Sequence, residues 1–238
     1  MSMKKFFDGL LDIMYPRNFT CDICGTEIFS GDNLCPKCRD TVTVNNGFTC
    51  PVCGRKTPSS GLCLECKEKP PLYDKAVSPF VYSEGVQKLM YKFKNGEGYL
   101  REYFSRAMYA KCGSFTDADG ICFVPMTGYA ERCRGYNQSE LLAAELAKML
   151  KLPLLKDAVI KVKKSWPQKS LTRQEREENL KGCFEADREI VEGRTLILVD
   201  DVLTTGTTAD AVTRELKKCG AKKVYFVTAA SVEYGGEI

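Results

Sequence analysis

The segment Leu196-Ile197-Leu198-Val199-Asp200-Asp201-Val202-Leu203-Thr204-Thr205-Gly206-Thr207-Thr208 runs from an apolar strand into two acids, then a hydroxyl-rich turn with one glycine, then a helix. In open α/β sheets ligands bind beyond the carboxyl ends of strands, which is where Asp200 and Asp201 fall. Successive backbone N–H groups and threonine hydroxyls from Thr204 to Thr208 can converge at the helix N-terminus and form an anion pocket. Acceptors beside a phosphate cradle suit a ribose phosphate, whose neighbouring hydroxyls the carboxylates would meet, or a magnesium ion they would hold. The chain contains no GxxxxGK[ST] stretch and no GxGxxG, which removes P-loop nucleotidases and dinucleotide folds.

A second constellation lies upstream. Of 13 cysteines, eight form CxxC pairs: Cys21/Cys24, Cys35/Cys38, Cys50/Cys53 and Cys63/Cys66. Two intervening residues let one tight turn aim both sulfurs at a single ion, and Gly25 and Gly54 supply the positive φ such turns use. Four thiolates per set predict tetrahedral structural zinc, two ions in all, with sequential rather than crossed pairing expected. A redox motif uses one CxxC beside a βαβ unit, which fits four regular pairs in a polar stretch badly. Structural zinc contributes roughly 10 to 16 kcal/mol of apparent binding free energy, more than so apolar-poor a segment could gain by burial. Cys112, Cys122, Cys133, Cys183 and Cys219 read as small hydrophobes, with Cys133, between two arginines, the one to test for reactivity.

Histidine is absent, so Ser-His-Asp and Cys-His catalysis and His-ligated metals are excluded. A formal charge of +4 is too small to argue for nucleic-acid or membrane binding by charge alone. No apolar run approaches the ~18 residues of a membrane span. Asp8 and Asp12 interrupt the apolar start and no small-residue cleavage site follows it, so a reducing cytoplasm is the expected location.

These sites need elements to position them. Residues 3–14 read as a short amphipathic helix closed by Pro16, within a lead-in of residues 1–20. The zinc module covers 21–70, ending at Pro70-Pro71. From residue 76 to 238 strands and helices alternate: strands at 76–82, 121–124, 154–162, 195–199 and 224–232, helices at 84–94, 99–112, 139–150, 172–181 and 208–219. Asn137 and Glu140 are spaced as an N-cap and its capping partner. This alternation predicts an α/β fold with a mostly parallel sheet flanked by helices.

Residues Leu196 to Thr208 are similar to the phosphoribosyl-pyrophosphate signature of type I phosphoribosyltransferases. With the cysteine module, Val124-Pro125, Arg134-Gly135-Tyr136-Asn137-Gln138, and Arg176 to Asn179 and Leu180 ahead of Gly182 and Phe184, the chain resembles the ComF family. These are competence-associated, amidophosphoribosyltransferase-like bacterial proteins with a type I phosphoribosyltransferase domain behind a double zinc ribbon.

The resemblance implies binding of phosphoribosyl pyrophosphate with magnesium. Thr204, Thr205, Gly206, Thr207 and Thr208 would hold the 5′-phosphate, and Asp200 and Asp201 the ribose. Met126 and Thr127 would form the pyrophosphate loop, with Arg132, Arg134 and, more weakly, Lys92 neutralising the leaving group; Asp200, Asp201 and Arg134 would be the catalytic set. The stretch holding Lys161, Lys163, Lys164, Trp166, Gln168, Lys169 and Arg173 corresponds to the mobile catalytic loop, although its basic-aromatic mix equally suits single-stranded DNA or an ordinary solvated loop. Some purine transferases carry a further carboxylate between the acids and the threonines; Leu203 and Thr204 occupy that stretch here. Three functions follow: phosphoribosyl transfer with release of pyrophosphate, single-stranded DNA handling in competence and DNA uptake, or sensing of phosphoribosyl pyrophosphate without turnover.

Overall fold

Leu196, Ile197, Leu198 and Val199 are all fully buried, so the strand that carries them must be covered on both faces. The computed structural model describes residues 19–28, 32–163 and 173–235. The expected helix at 3–14 and Lys164, Trp166, Gln168 and Lys169 lie outside the described residues, as does the side chain of Arg173. The central strand is β6 (Thr195–Leu203), flanked by β7 (Lys223–Ser231) and β3 (Gly120–Phe123), with β1 (Lys75–Val77) and β2 (Phe80–Val81) end to end along the far edge of β7. All of these pairings are parallel.

Side-chain alternation along β6 divides the core in two. Ile197 and Val199 join Phe93, Phe104, Met108, Leu142 and Leu146 on one face, from helices α3 (Glu84–Lys94), α4 (Leu100–Lys111) and α6 (Gln138–Leu150). Leu196 and Leu198 meet Val212, Leu216 and Phe226 on the other, under α9 (Thr207–Lys218). Leu198→Ala is expected to cost about 2 to 5 kcal/mol because the site is enclosed on all sides, readable as a shift in the urea midpoint at constant m-value.

Several elements depart from the sequence reading. The strand expected at 76–82 is broken at Ser78-Pro79, where Pro79 has no N–H for a ladder. The expected 154–162 strand meets the sheet only at its start, where Leu154 bridges Ile121 and the Leu155 amide donates to the Ile121 carbonyl; after a turn, β4 (Val159–Lys161) instead pairs antiparallel with β5 (Phe184–Ala186), a separate two-stranded ribbon. β6 runs past Val199 to Leu203 because β7 continues the ladder beside it, pairing Asp200 with Thr228 and Leu203 with Ser231. Asn137 does cap α6, accepting from the Ser139 amide, but Glu140 pairs with Lys156 and not with the cap. The charged helix is present as α7 (Arg173–Asn179), and α8 (Arg188–Val191) precedes β6.

The cysteine segment forms two knuckle-built units with short helices α1 (Pro36–Arg39) and α2 (Leu64–Glu68). Cys21, Ile28, Leu34 and Cys35 pack into the core of α3 and α4, while Cys50, Cys53, Cys63 and Cys66 join the core under α9. A Cβ at Gly54 would lie 2.4 Å from the Ala76 carbonyl oxygen, so the second unit is pressed backbone to backbone onto β1. Cys112, Cys122 and Cys183 are buried as expected, and burial pushes the first two up to about 12; Cys133 is exposed and Cys219 half-buried. Among the described residues no helix is long and apolar enough to cross a membrane.

Candidate ligand site and zinc centres

The sheet itself dictates where a ligand can sit. From the end of β6 the chain leaves through α9 toward β7 on one side. From the end of β3 it leaves through α5 (Gly128–Arg134) and α6 to Leu154, which bridges Ile121 on the opposite side. The two connections diverge, so a crevice opens beyond the carboxyl ends of β3 and β6, the topological switch point of an open α/β sheet.

From β6 come Asp200 and Asp201, then the turn Thr204-Thr205-Gly206 and the first residues of α9. Gly206 takes φ 80 as the N-cap of α9, a left-handed conformation that suits glycine, and brings no side chain to the helix N-terminus. The threonines order one another: Thr205 Oγ1 lies 2.8 Å from Thr207 Oγ1 and accepts from the Thr207 amide at 3.4 Å. Asp200, Thr204, Gly206 and Thr208 line one small pocket with Phe226 beneath.

Asp200 Oδ1 accepts from Ser139 Oγ at 2.7 Å and from the Asp201 amide at 2.9 Å. Asp201 is paired with Lys94 at 2.6 Å. Burial and the neighbouring Asp201 carboxylate push Asp200 up to about 7, against the pull of Ser139, the Asp201 amide and Lys94. Burial opposes the charge on Lys94, but Asp201 and then Asp200 outweigh it and raise its pKa. Lys161, on β4, also lies within the field of Asp200; burial dominates and lowers its pKa, while its ammonium sits 5.5 Å from the Phe184 ring centroid.

The loop after β3 leads straight into a helix. Thr127 accepts from the Ala130 amide at 3.3 Å and caps α5, so Met126 and Thr127 lead into a short helix whose last turn bears Arg132 and Arg134. Both arginines are exposed, and Arg134 Nη1 reaches Gln138 Oε1 at 3.4 Å. The Arg134 to Gln138 segment is a junction: Gly135 ends α5 at φ 86, the Tyr136 hydroxyl donates to the Phe93 carbonyl, and Asn137 Nδ2 donates to the Val124 carbonyl at 3.1 Å. It thereby ties the β3 loop to the end of α3 that carries Lys94.

The structure therefore gathers Asp200, Asp201, Thr204, Thr205, Gly206, Thr207 and Thr208 at one end of β6, with Met126 and Thr127 on the loop of its neighbour. Lys92 is turned instead to Glu97, 3.7 Å away. The sequence reading missed Lys94 and Ser139, whose side chains contact Asp201 and Asp200 among the described residues.

The cysteines fall into two sets, Cys21/24/35/38 and Cys50/53/63/66, each with all four sulfurs within 4.8 Å of one another, which is the sequential pairing. Zinc–sulfur bonds of about 2.3 Å in a tetrahedron require sulfur–sulfur edges of about 3.8 Å. Cys24 and Cys35 stand 3.8 Å apart and Cys53 and Cys63 3.7 Å apart, with none of the cysteines in a disulfide. Burial, with the neighbouring thiolates of Cys50 and Cys63, pushes Cys53 up to about 12, a charge conflict that a divalent cation resolves. Both sets fit structural zinc.

Comparison with known proteins agrees with both halves. The double zinc ribbon domain matches residues 10–67 and the phosphoribosyl transferase domain residues 137–235. Competence protein F of Haemophilus influenzae is 28% identical over 219 residues, spanning 87% of this chain and 94% of that protein. The chain is a homologue of competence protein F along most of its length. Other relatives are the DNA utilization protein YhgH of Escherichia coli, 28% identical over 86% of this chain and 93% of that one, and competence protein ComFC of Bacillus subtilis, 24% identical over 89% and 90%. A double zinc ribbon followed by a phosphoribosyltransferase-type domain is thus present in the chain.

Proposed function

We propose that the protein binds phosphoribosyl pyrophosphate with magnesium in the crevice between β3 and β6 and transfers the phosphoribosyl group to an acceptor nucleophile, releasing pyrophosphate. The observation that carries this reading is the placement of two adjacent carboxylates and an uncapped, threonine-rich helix start at the switch point of the sheet. The turn amides and threonine hydroxyls hold the 5′-phosphate, and Asp200 and Asp201 accept from the two ribose hydroxyls. Asp200 and Asp201 would be the carboxylates to hold a magnesium ion, which would neutralise the charge of the pyrophosphate. Met126 and Thr127 border the leaving group and Arg132 and Arg134 supply positive charge at the rim. As the anomeric C–O bond breaks, positive charge grows on the sugar and negative charge on the pyrophosphate, which preorganised carboxylates and cations stabilise. Lys94 serves as the resting partner of Asp201. The module 21–70 folds around its zinc ions and abuts the transferase unit 76–238, and a cytoplasmic location fits both the ligand and the free thiols.

Isothermal titration of phosphoribosyl pyrophosphate with magnesium, followed by pyrophosphate-release assays with nucleobases and ammonia, tests the reading. Saturable, magnesium-dependent binding supports it; absence of binding overturns it. A second reading, sensing without turnover, is favoured by the absence of any carboxylate between Asp201 and Thr204, where Leu203 is buried against the core. Binding with no release under any acceptor selects it. The names of the relatives and the basic-aromatic stretch 161–173 support a further role in handling single-stranded DNA, for which affinity should fall steeply with salt.

Acidification gives a separate check. A carboxylate must be ionised to accept from a sugar hydroxyl without competition, and Asp200 holds its proton up to about pH 7. Affinity should therefore be full above pH 7 and fall by up to about tenfold per unit below it. Ser139→Ala removes a hydrogen bond that favours the ionised form, so the midpoint should move upward in the same titration series.

A further inference from the structure

The second zinc ribbon touches the phosphate turn directly. Arg55 follows Cys53 and Gly54 in the ribbon, is 4% exposed, and donates through Nη2 to the carbonyl of Thr204, the first residue of the turn. Its Nη1 donates to Glu65 Oε2 at 2.7 Å. Glu65 lies between Cys63 and Cys66, so both ends of this ion pair are set by ligands of one zinc site. The knuckle that presents Arg55 is closed by two backbone bonds, Cys50 amide to Arg55 carbonyl and Gly54 amide to Cys50 carbonyl, each 2.9 Å. Beside this contact the Leu72 amide donates to Asp210 Oδ1 in the first turn of α9, and a Cβ on Gly206 would come within 3.8 Å of the Tyr73 hydroxyl.

This contact orients the turn. In a trans peptide the carbonyl and the next N–H point in opposite directions. Fixing the Thr204 carbonyl toward Arg55, on the ribbon side, turns the Thr205 N–H away from the ribbon and toward the crevice. An anion held by a run of amides depends on those amides being aimed before it arrives, since any ordering deferred to the binding step is subtracted from the affinity. The guanidinium suits this task because its planar fork serves two oxygens at once.

We propose that Arg55 is a positioning residue for the phosphate turn, so that the loaded second zinc site sets the affinity of the turn for its ligand. This rests on the ligand reading above. The test uses the full zinc-loaded chain. Arg55→Met keeps the buried stem and removes the guanidinium, and Arg55→Lys keeps the charge but loses the planar fork that meets Thr204 and Glu65 together. Three quantities are read: zinc per chain, hydrogen exchange of the amides of 204–208, and titration with phosphoribosyl pyrophosphate and magnesium. The expected result for Arg55→Met is two zinc ions retained, faster exchange confined to the turn, and affinity weakened at least tenfold, with Arg55→Lys between it and wild type. Wild-type exchange and wild-type affinity in Arg55→Met overturn the proposal. If wild type itself does not bind the ligand, the ligand reading falls and the exchange of 204–208 alone decides this one. If Arg55→Met does not retain two zinc ions, the Lys variant decides, and wild-type exchange with wild-type affinity in it overturns the proposal.

Discussion

The Asp200→Asn/Asp201→Asn double variant is expected to show no binding of phosphoribosyl pyrophosphate with magnesium at concentrations that saturate wild type, a loss of about 10² to 10⁴ in affinity. Each aspartate is read as accepting a charge-assisted hydrogen bond from a ribose hydroxyl, worth about 1.5 to 3 kcal/mol, and 1.4 kcal/mol is tenfold in affinity. Asparagine keeps the shape but replaces one acceptor oxygen with a donor, which faces a hydroxyl far less favourably and attracts no cation. The single changes separate affinity from stability. Burial raises Asp200 from 3.8 to about 7, so its ionised form is disfavoured in the fold. That cost is full above pH 7, shrinks as pH falls through the folded value, and is gone below about pH 4, where the carboxyl is protonated in both states. Asp200→Asn should therefore raise the melting temperature at pH 8 while weakening the ligand. Asp201→Asn should lower it, because Lys94 loses the carboxylate 2.6 Å from its ammonium. Thermal unfolding beside titration calorimetry reads both. Retention of wild-type affinity in the double variant would remove the twin-aspartate reading.

The acids, the threonine turn and the zinc ligands were legible because each is a local pattern: the chemistry of CxxC and of strand-acid-acid-turn-helix is complete within a dozen residues. What escaped was set by tertiary contact. Ser139 sits one residue beyond the segment Arg134 to Gln138, and only the position of α6 against β6 brings its hydroxyl to Asp200, 61 residues away in sequence. Arg55 reads as an ordinary basic residue after a knuckle until the ribbon docks on the turn, 149 residues distant. Lys94 carried only a partial signal. Val86, Leu89, Met90 and Phe93 make the buried stripe of α3, and Lys92 and Lys94 flank it on opposite sides, so the pattern marks both as border residues and only the packing of α3 sends Lys94 to Asp201 and Lys92 to Glu97. The β4–β5 ribbon was misjudged because a short apolar run has no periodicity that distinguishes a place in the main sheet from pairing elsewhere.

Removal of zinc should have the larger structural effect, and the two ions should leave in order. A structural zinc contributes roughly 10 to 16 kcal/mol of apparent binding free energy, comparable with the whole stability of an ordinary domain at about 5 to 15 kcal/mol. The ribbons have little else to hold them, since the cysteines themselves make up much of what they bury. A strong chelator under reducing conditions is expected to release two zinc ions per chain in two phases. In the first set Cys24 is exposed and Cys38 half-buried, whereas all four cysteines of the second set are buried. The first set should therefore empty first, and Cys24 should become alkylated before Cys53. Loss of the first ion loosens Cys21, Ile28, Leu34 and Cys35 from the core of α3 and α4 and frees Asp22 from its hydrogen bond with Tyr99, 2.8 Å in the folded chain. The phosphate turn stays protected through this phase, because its contact is with the second ribbon. Only the second phase should speed exchange at 204–208, through the Arg55 contact. A single-phase release, or Cys53 labelled ahead of Cys24, would show that burial of the thiolates does not control access to the metal. Full amide protection of the ribbons after both ions have gone would show that zinc does not hold them folded.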